Sequence, residues 1–191
     1  MRKKSVVTRY CLLALFCLLF TAAPSAAENT ALIENIKLAN TRDDLLVYFD
    51  VKHAFSDKIT EAIQSGIPTT FSFYVTLLKT DGSWFDKKVS DIQVKSTISY
   101  NPLKKEYTVK RPWKEDTETL TSSFEDARAL MTEIDNLKII PLGGLVKGDK
   151  YQLRIKAELD KVTLPLSLHY VLFFVSFWDF ETNWYLINFT Y

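Results

Sequence analysis

The stretch AIQSGIPTTFSFYV, Ala62 to Val75, changes its hydrophobic period halfway through. Up to Ser65 the apolar residues recur at helical spacing, whereas from Ile67 onward hydrophobic residues alternate along the chain, as on a strand. Gly66 can adopt the left-handed conformation at which helices end, and Pro68 lacks an N–H and disfavours helix at the residue before it. We therefore interpret Gly66 and Pro68 as a structural turn between a short helix and a long strand, and not as a binding loop.

Before this switch, the residues Leu45 to Val51 alternate between two faces, which predicts a half-buried strand. The turn-forming residues Asn40 to Asp43 join it to a second predicted strand, Leu32 to Ala39. Ser56 and Asp57 offer side-chain oxygens that can cap the N-terminus of a helix. A short helix is therefore predicted, with an inward face made of Ile59, Ala62 and Ile63.

After the long strand, Asp81-Gly82 predicts a turn into a second strand. The inward residues of that strand are predicted to be Ile92, Val94, Ile98 and Tyr100. Asn101 and Pro102 predict the next turn, after which Tyr107, Val109 and Arg111 continue on a partner strand. We expect these segments to be consecutive antiparallel neighbours, and we expect the polar residues from Pro112 to Thr121 to form an exposed loop.

The pattern Ser122-x-x-Glu125 fits a capping box at the start of a second helix, which we expect to end at Asn136. The predicted inward face of this helix is Phe124, Ala127, Leu130, Met131 and Ile134. Strict alternation then predicts a strand from Tyr151 to Leu159. The uncharged segment Leu164 to Trp178 suits a strand that is buried on both faces, and the chain turns once more into Trp184 to Tyr191.

These elements predict a mainly β domain of the α+β kind, an antiparallel sandwich-like fold that carries two short helices. The N-terminus has a basic head, an apolar run from Tyr10 to Phe20, and small residues before Glu28, which together predict a secretory signal peptide over residues 1–27. Cleavage is expected after Ala27, leaving residues 28–191 as a single periplasmic or exported domain. If cleavage failed, the uncleaved signal segment would provide the contact with the membrane.

Charge and cysteine content narrow the classes of function. Both cysteines, Cys11 and Cys17, lie in the predicted signal peptide, so the remaining chain would fold without disulfides although its compartment permits them. Removing the signal peptide leaves 20 Lys and Arg against 23 Asp and Glu, which is a net charge of −3. This balance does not favour a nucleic acid as partner.

Several residues carry a resemblance to a known family. The quoted set is Phe55, Glu61-Ala62, Gly66-Ile67-Pro68, Phe71, Trp84, Asp86, Tyr100-Asn101-Pro102-Leu103, Tyr107, Gly148, Tyr151, Leu159-Asp160, Leu164-Pro165-Leu166, Ser176 and Trp178. With these residues the chain resembles the bacterial family DUF4390 over nearly all of the predicted mature part. The resemblance implies an exported protein without an assigned activity. It also implies an association with genes of sensor kinases of the nitrogen-regulation type, which is not a mechanism.

No catalytic, cofactor-binding or metal-binding residue is predicted. The chain lacks the serine-hydrolase elbow, the zinc-protease helix motif and the phosphate-binding loop, and its histidines, His53 and His169, have no recognisable catalytic context. The tryptophans are more suggestive, because exposed aromatic residues can anchor a protein partner. We predict a candidate partner surface at Trp84, Phe85 and Trp113. The expected function is a non-catalytic module that binds another protein of the cell envelope.

Two alternatives remain open at this stage. Tyr185, Ile187, Phe189 and Tyr191 form the alternating aromatic C-terminus that small outer-membrane β-barrels commonly show. The two capped helices and the charged outer faces of the strands favour a water-soluble sandwich over that barrel. The second alternative is an enzyme with an unrecognised carboxylate site, since carboxylates that meet across strands cannot be identified from sequence.

Overall fold

The computed structural model of the chain describes residues 31–80, 86–160 and 180–191. These ranges contain nine β-strands and two α-helices. The strands are β1 Leu32–Asn40, β2 Asp44–Lys52, β3 Thr69–Lys79, β4 Lys87–Asn101, β5 Glu106–Lys110, β6 Glu118–Thr121, β7 Glu133–Pro141, β8 Lys150–Leu159 and β9 Tyr185–Thr190. The helices are α1 Asp57–Gln64 and α2 Phe124–Thr132, and a 3-10 turn covers Leu142–Gly144.

The strands form two antiparallel sheets. The small sheet has three strands in the order β1-β2-β7, and the large sheet has six strands in the order β6-β5-β4-β3-β8-β9. The predicted pairing of β1 with β2 is confirmed, because Leu38 lies opposite Val47. The predicted succession of β3, β4 and β5 is confirmed as well, with Val75 opposite Ile92 and Tyr100 opposite Tyr107.

The two sheets pack face to face around one hydrophobic core. Phe49 of β2 and Phe73 of β3 meet across the gap with ring centroids 6.1 Å apart in an edge-to-face arrangement, which aromatic rings prefer. Ser90 of β4 donates to the carbonyl oxygen of Ile139 of β7 at 2.7 Å, adding a polar link between the sheets. The predicted fold class, a mainly β sandwich-like domain with two short helices, is confirmed.

The helices close one end of the sandwich with aromatic side chains. Phe55, just before α1, packs on Phe71 of β3 with centroids 5.1 Å apart. Phe124, at the start of α2, contacts Phe55 at 6.0 Å and Tyr107 of β5 at 5.4 Å. Arg128 covers the solvent side, with its guanidinium carbon 5.3 Å from the centroid of the Phe55 ring. Because each helix is short, this packing and not helix propensity holds it in place.

The second helix differs from its prediction at both ends. Its N-cap is Ser123, whose Oγ accepts the backbone N–H of Asp126 at 3.2 Å, and not Ser122. The helix ends at Thr132 instead of Asn136, because the chain becomes extended at Glu133 and enters β7 directly. Ile134, which helical spacing assigned to the helix face, is buried on a strand. An apolar residue at the right spacing therefore does not show that the helix continues.

Two strands were not predicted. Residues Glu118 to Thr121, expected to be loop, form β6 and pair with β5. β7 completes the small sheet beside β2, with register shifts on either side of the Leu46–Val47 segment. Irregular register hides the two-residue period from which a strand is recognised. These strands are therefore set by backbone pairing more than by their own hydrophobic pattern.

Three sequence interpretations lie outside the described residues: the signal peptide, the Asp81-Gly82 turn and the buried strand over Leu164 to Trp178. They stay predictions. Within residues 31–80, 86–160 and 180–191, no helix combines the length and apolar character that crossing a membrane requires.

Candidate functional site

The predicted partner surface is described only at Trp113, since Trp84 and Phe85 lie outside the described residues. Trp113 follows β5 and is partly buried, with its ring packed against the core. Lys114 lies 5.6 Å from the centroid of that ring and pairs with Asp135 of β7. The loop after β5 is thereby tied to the small sheet. The surface made of these three residues remains a prediction.

The two Gly/Asn-Pro motifs bond within their own turns. Gly66 has φ +83°, and the N–H of the residue after it bonds back to the carbonyl of Ala62 at 3.0 Å, which closes the end of α1. Pro68 is exposed before β3. The side-chain oxygen of Asn101 accepts the N–H groups of the two residues that follow Pro102, at 3.0 and 3.2 Å. Both motifs position strands and present no converging donors to a ligand.

Three strands lie at sheet edges among the described residues: β1, β6 and β9. An open edge exposes unpaired N–H and C=O groups, and proteins usually protect such edges with bulges, charges or short strands. β1 has a bulge between Glu34 and Lys37 with a positive φ at Asn35, and both flanking residues are charged. β6 has only four residues, including Glu118. Both of these edges therefore carry recognised protection.

The edge strand β9 lacks these protections. It pairs with β8 in continuous register, from Lys150 opposite Thr190 to Ile155 opposite Tyr185, and none of its six residues is charged. Its inward residues are partly buried, with the ring of Phe189 stacked 5.7 Å from that of Tyr151. Its outward residue Leu186 is 55% exposed, and Trp184 and Tyr191 are exposed at its two ends. β9 is therefore a regular, uncharged edge flanked by exposed apolar side chains.

A charged network lies next to β9 on the outer face of the large sheet. Lys156 of β8 pairs with Glu158 at 2.9 Å and with Glu181 at 2.6 Å. Tyr74 of β3 donates its phenolic hydrogen to the other oxygen of Glu158 at 2.7 Å. The same ammonium lies 5.8 Å from the centroid of the Trp184 ring. Residues on β3, β8 and the segment before β9 are thus connected, and the position of Trp184 is fixed relative to the sheet.

The pKa values in this network favour the charged forms of the ion pair. Burial raises the pKa of the Glu158 carboxyl, but hydrogen bonds from Lys156 and Tyr74 outweigh burial, so its pKa lies below the ordinary value. Hydrogen bonds to Glu181 and Glu158 raise the pKa of the Lys156 ammonium. The hydrogen bond to Glu158, together with burial, raises the pKa of the Tyr74 phenol. At neutral pH the carboxylate and ammonium are charged and the phenol stays protonated.

A second group extends the network along the same face. Ser72 of β3 donates to Asp160, and Lys95 of β4 pairs with the other oxygen of that carboxylate. Gln93 donates to the Tyr74 hydroxyl at 3.2 Å and joins the two groups. Glu158 and Asp160 each have both carboxylate oxygens in hydrogen bonds or ion pairs. The arrangement stabilises strand pairing and keeps this face polar.

An open groove of about 400 Å³ lies on the small sheet. Bulges bring Asn35 and Asn136, both with φ +54°, to either side of β2. Asn35 donates to Asp50 at 2.7 Å, and Tyr48 donates to the side-chain oxygen of Asn136 at 2.5 Å. The lining residues are Asn35, Lys37, Tyr48, Phe49, Asp50, Glu133, Ile134 and Asp135. Because the charges are mixed and several are paired, the groove favours no single class of ligand.

Metal coordination needs clustered donors. In the part of the chain that the structure describes, no group of three or more His, Cys, Asp or Glu side chains is arranged to hold a metal ion. His53 is exposed after β2 with φ +57°, and His169 lies outside the described residues.

The sequence indicates which residues of β8 and β9 face outward, but it does not indicate which strands are adjacent in the sheet. The outward residues of β8 were recognisable from alternation, whereas their partners on β3 depend on a pairing between distant segments. The sequence also shows that the C-terminal segment is uncharged. It does not show that β1 and β6 lie at sheet edges, or that a bulge with charges and a short length protect them. That comparison between edges requires the sheet order.

One family model matches the chain, over residues 28–188, and its description is a domain of unknown function, DUF4390. No curated protein and no solved structure matches the chain.

Proposed function

This chain belongs to the DUF4390 family, and from that premise we propose that it is a non-catalytic protein of the bacterial cell envelope which binds an extended segment of another protein along β9. The proposal includes export by the general secretory route, with cleavage after Ala27, to give a periplasmic or exported protein. The family's description names no activity, so the function is argued from the geometry of the sheet edges.

The observation that carries the proposal is the contrast between β9 and the other two edges. β1 is bulged and charged, and β6 is short, while β9 is regular over six residues and uncharged. A regular edge can accept an added strand, in which main-chain hydrogen bonds supply affinity and pockets for alternate side chains supply specificity. Among the described strands β9 is the edge without such protection, and an exposed edge of this kind carries a risk of aggregation, which a binding role would explain.

The side chains beside β9 favour an apolar partner segment. Leu186 projects outward, and Trp184 and Tyr191 flank the strand at its two ends. Lys156 lies over the Trp184 ring and is itself neutralised by Glu158 and Glu181. An incoming strand would therefore meet Trp184 and Leu186 at the start of β9 and the polar Asn188 and Thr190 toward its end. The envelope domain of a sensor kinase is the first partner to test, given the association that the family resemblance implies.

The experiment is site-specific photo-crosslinking in intact cells. A photoreactive residue replaces Thr190 on β9, and the same residue replaces the exposed Leu103 in the β4–β5 turn as a control. We expect one major protein partner to be captured at position 190 and not at position 103. Leu186→Lys, which adds a charge of the kind that natural edges use, should reduce this capture.

A matched variant distinguishes the effect of a charge on β9 from the effect of a charge added elsewhere on the surface. Leu120 on β6 is 62% exposed, close to the 55% of Leu186, so Leu120→Lys adds the same charge to another edge. Capture at position 190 should survive Leu120→Lys. Equal capture at both crosslinker positions, insensitivity to Leu186→Lys, or capture of a second copy of this chain alone would contradict binding of another protein along β9.

A further inference from the structure

Three buried hydrogen-bond donors near the start of the loop after β5 have no partner among the described residues: Ser96 Oγ, Arg111 Nε and Trp113 Nε1. Ser96 is fully buried on β4, and Arg111 is only 7% exposed. Buried polar groups in proteins are nearly always hydrogen-bonded, so each of these groups requires an explanation.

The strand register brings two of these donors together. Lys110 of β5 lies opposite Thr97 of β4, and Val109 lies opposite Ile98. β5 ends at Lys110, and the same register continued by one residue would set Arg111 opposite Ser96. Val109, Ile98, Arg111 and Ser96 are all buried, which puts the last two on the inward face. Directly opposed residues on one face have their Cβ atoms about 4.5–5.5 Å apart.

The third donor enters through the turn that follows. The N–H of Lys114 bonds to the carbonyl of Arg111 at 3.0 Å, and the N–H of Arg111 bonds to the carbonyl of Thr117 at 2.7 Å. This turn folds Trp113 back toward the core. The acidic residue that this loop contacts, Asp135, pairs with Lys114 and not with the arginine.

A buried guanidinium without a counterion is costly. Removing a charge from water is strongly unfavourable unless an opposite charge and hydrogen bonds compensate. Among the described residues, the ion pairs of this protein do not include Arg111. The arginine lacks a counterion and the two neutral donors lack an acceptor, and one bound anion would supply both.

We propose that Arg111, Ser96 and Trp113 form a binding site for a small oxyanion, either a carboxylate or a phosphate. Arginine presents parallel N–H donors that match two oxygens of such a group, and hydrogen bonds to a charged acceptor are among the strongest in proteins. The serine hydroxyl and the indole N–H supply neutral donors that orient the remaining oxygen. The loop over residues 115–117, which follows Trp113, is exposed.

The test measures thermal stability of the purified residues 28–191 in sodium formate, acetate or phosphate, against sodium chloride at equal ionic strength. A ligand that binds the folded state raises the melting temperature with concentration. We expect formate and acetate, or phosphate, to raise it above the chloride value, and the comparison distinguishes a planar carboxylate from a tetrahedral phosphate. Arg111→Met should weaken the response about tenfold or more, since it removes the charge-assisted bonds.

The controls keep the result independent of folding. Arg111→Met replaces a buried charge with an apolar chain of similar length, a change that folded proteins often tolerate. Arg154→Met removes an arginine from the outer face of the large sheet and should leave the response unchanged. In ¹H–¹⁵N spectra, the indole resonance assigned by Trp113→Phe should move when the anion is added, and Ser96→Ala should weaken the binding.

Equal melting temperatures in all the salts would overturn the proposal. An oxyanion response that persists in Arg111→Met, or an indole resonance of Trp113 that does not move while other resonances do, would overturn it as well.

Discussion

Glu158 shows how one residue links three elements. Its carboxylate accepts from Tyr74 on β3 and pairs with Lys156, which in turn reaches Glu181 before β9. Hydrogen bonds hold its pKa below the ordinary value despite burial. A carboxyl whose pKa is lower in the folded state adds stability above its unfolded pKa of about 4.3, and this stability is lost as pH falls through the folded value. Lys156 behaves oppositely and loses its contribution at alkaline pH, because its pKa is raised.

Glu158→Gln should therefore flatten the acid side of the stability profile. Between pH 7 and pH 3 the wild type should lose about 1 kcal/mol more unfolding free energy than the variant, since the bonds to the charged carboxylate are partly exposed. Urea denaturation at each pH measures this difference. Glu125→Gln is the control, because that glutamate pairs with Arg128 on the exposed side of α2. Parallel profiles for wild type and Glu158→Gln would contradict the assigned role.

The sequence predicts the strand position of Arg111 but not the side chains that surround it. Alternation placed Arg111 in line with Tyr107 and Val109, and the structure does bury it. The absence of a partner among the described residues could not be predicted, because it depends on what β4 and β7 bring to the same place. The same holds for Tyr74 and Glu158, which meet only because β3 and β8 are adjacent.

At the scale of elements, the start of α2 depends on a single hydroxyl. Ser122 and Ser123 are adjacent, and sequence spacing alone favoured the first because Glu125 completes a capping box with it. In the structure Ser123 accepts the N–H of Asp126, while Thr121 Oγ1 accepts the N–H of Ser123 at 3.1 Å. β6 ends at Thr121, so the preceding strand decides which serine can serve as the cap.

Ser123→Ala should lower the free energy of unfolding by about 1 kcal/mol, the usual loss when a helix loses its N-cap hydroxyl. Ser122→Ala is the matched control and should change it by less than about 0.5 kcal/mol. Chemical denaturation of both variants gives the comparison. A larger loss of unfolding free energy in Ser122→Ala than in Ser123→Ala would show that Ser122 is the N-cap, as the capping-box pattern predicted.

Strands with a clear alternating pattern could be predicted, and those without one could not. β2, β3, β5 and β8 bury every second residue over most of their length, β4 does so from Val94 to Ile98, and the sequence identified them all. β6 is short and polar, so it has no inward stripe of its own. β7 begins immediately after a helix and pairs irregularly, so Ile134 fitted a helical period as well as a strand. Pairing with neighbours, which is a tertiary effect, determines both.

At the scale of the molecule, the sandwich has one core shared by both sheets. Phe49 on the small sheet and Phe73 on the large sheet are both nearly fully buried and touch edge to face. The fold class could be predicted because alternating apolar and polar residues identify the strands that bury one face. The sheet order, and with it the position of β9 at an edge among the described strands, could not be predicted, because β8 pairs with the distant β3.

Phe49→Ala should lower the free energy of unfolding by about 3–4 kcal/mol through lost burial and a cavity between the sheets. Hydrogen exchange should show β1, β2 and β8 losing protection together, since the core is common to both sheets. Leu103→Ala, at a residue 94% exposed, should have little effect. Protection of β8 that survives while β1 and β2 exchange would mean that the large sheet is stable alone.

The order of strands within the sheets has a consequence for biosynthesis. The first hairpin, β1 with β2, acquires its third strand only at β7, and β3 acquires its second neighbour only at β8. A nascent chain that emerges from its N-terminus therefore cannot complete the small sheet before Pro141, or the large sheet before Thr190, has appeared. Contacts so distant in sequence form slowly. An isolated hairpin is at best marginally stable, so the early chain stays unfolded with its apolar residues exposed. For the export proposed above, this late completion of both sheets would keep the chain unfolded during most of its synthesis.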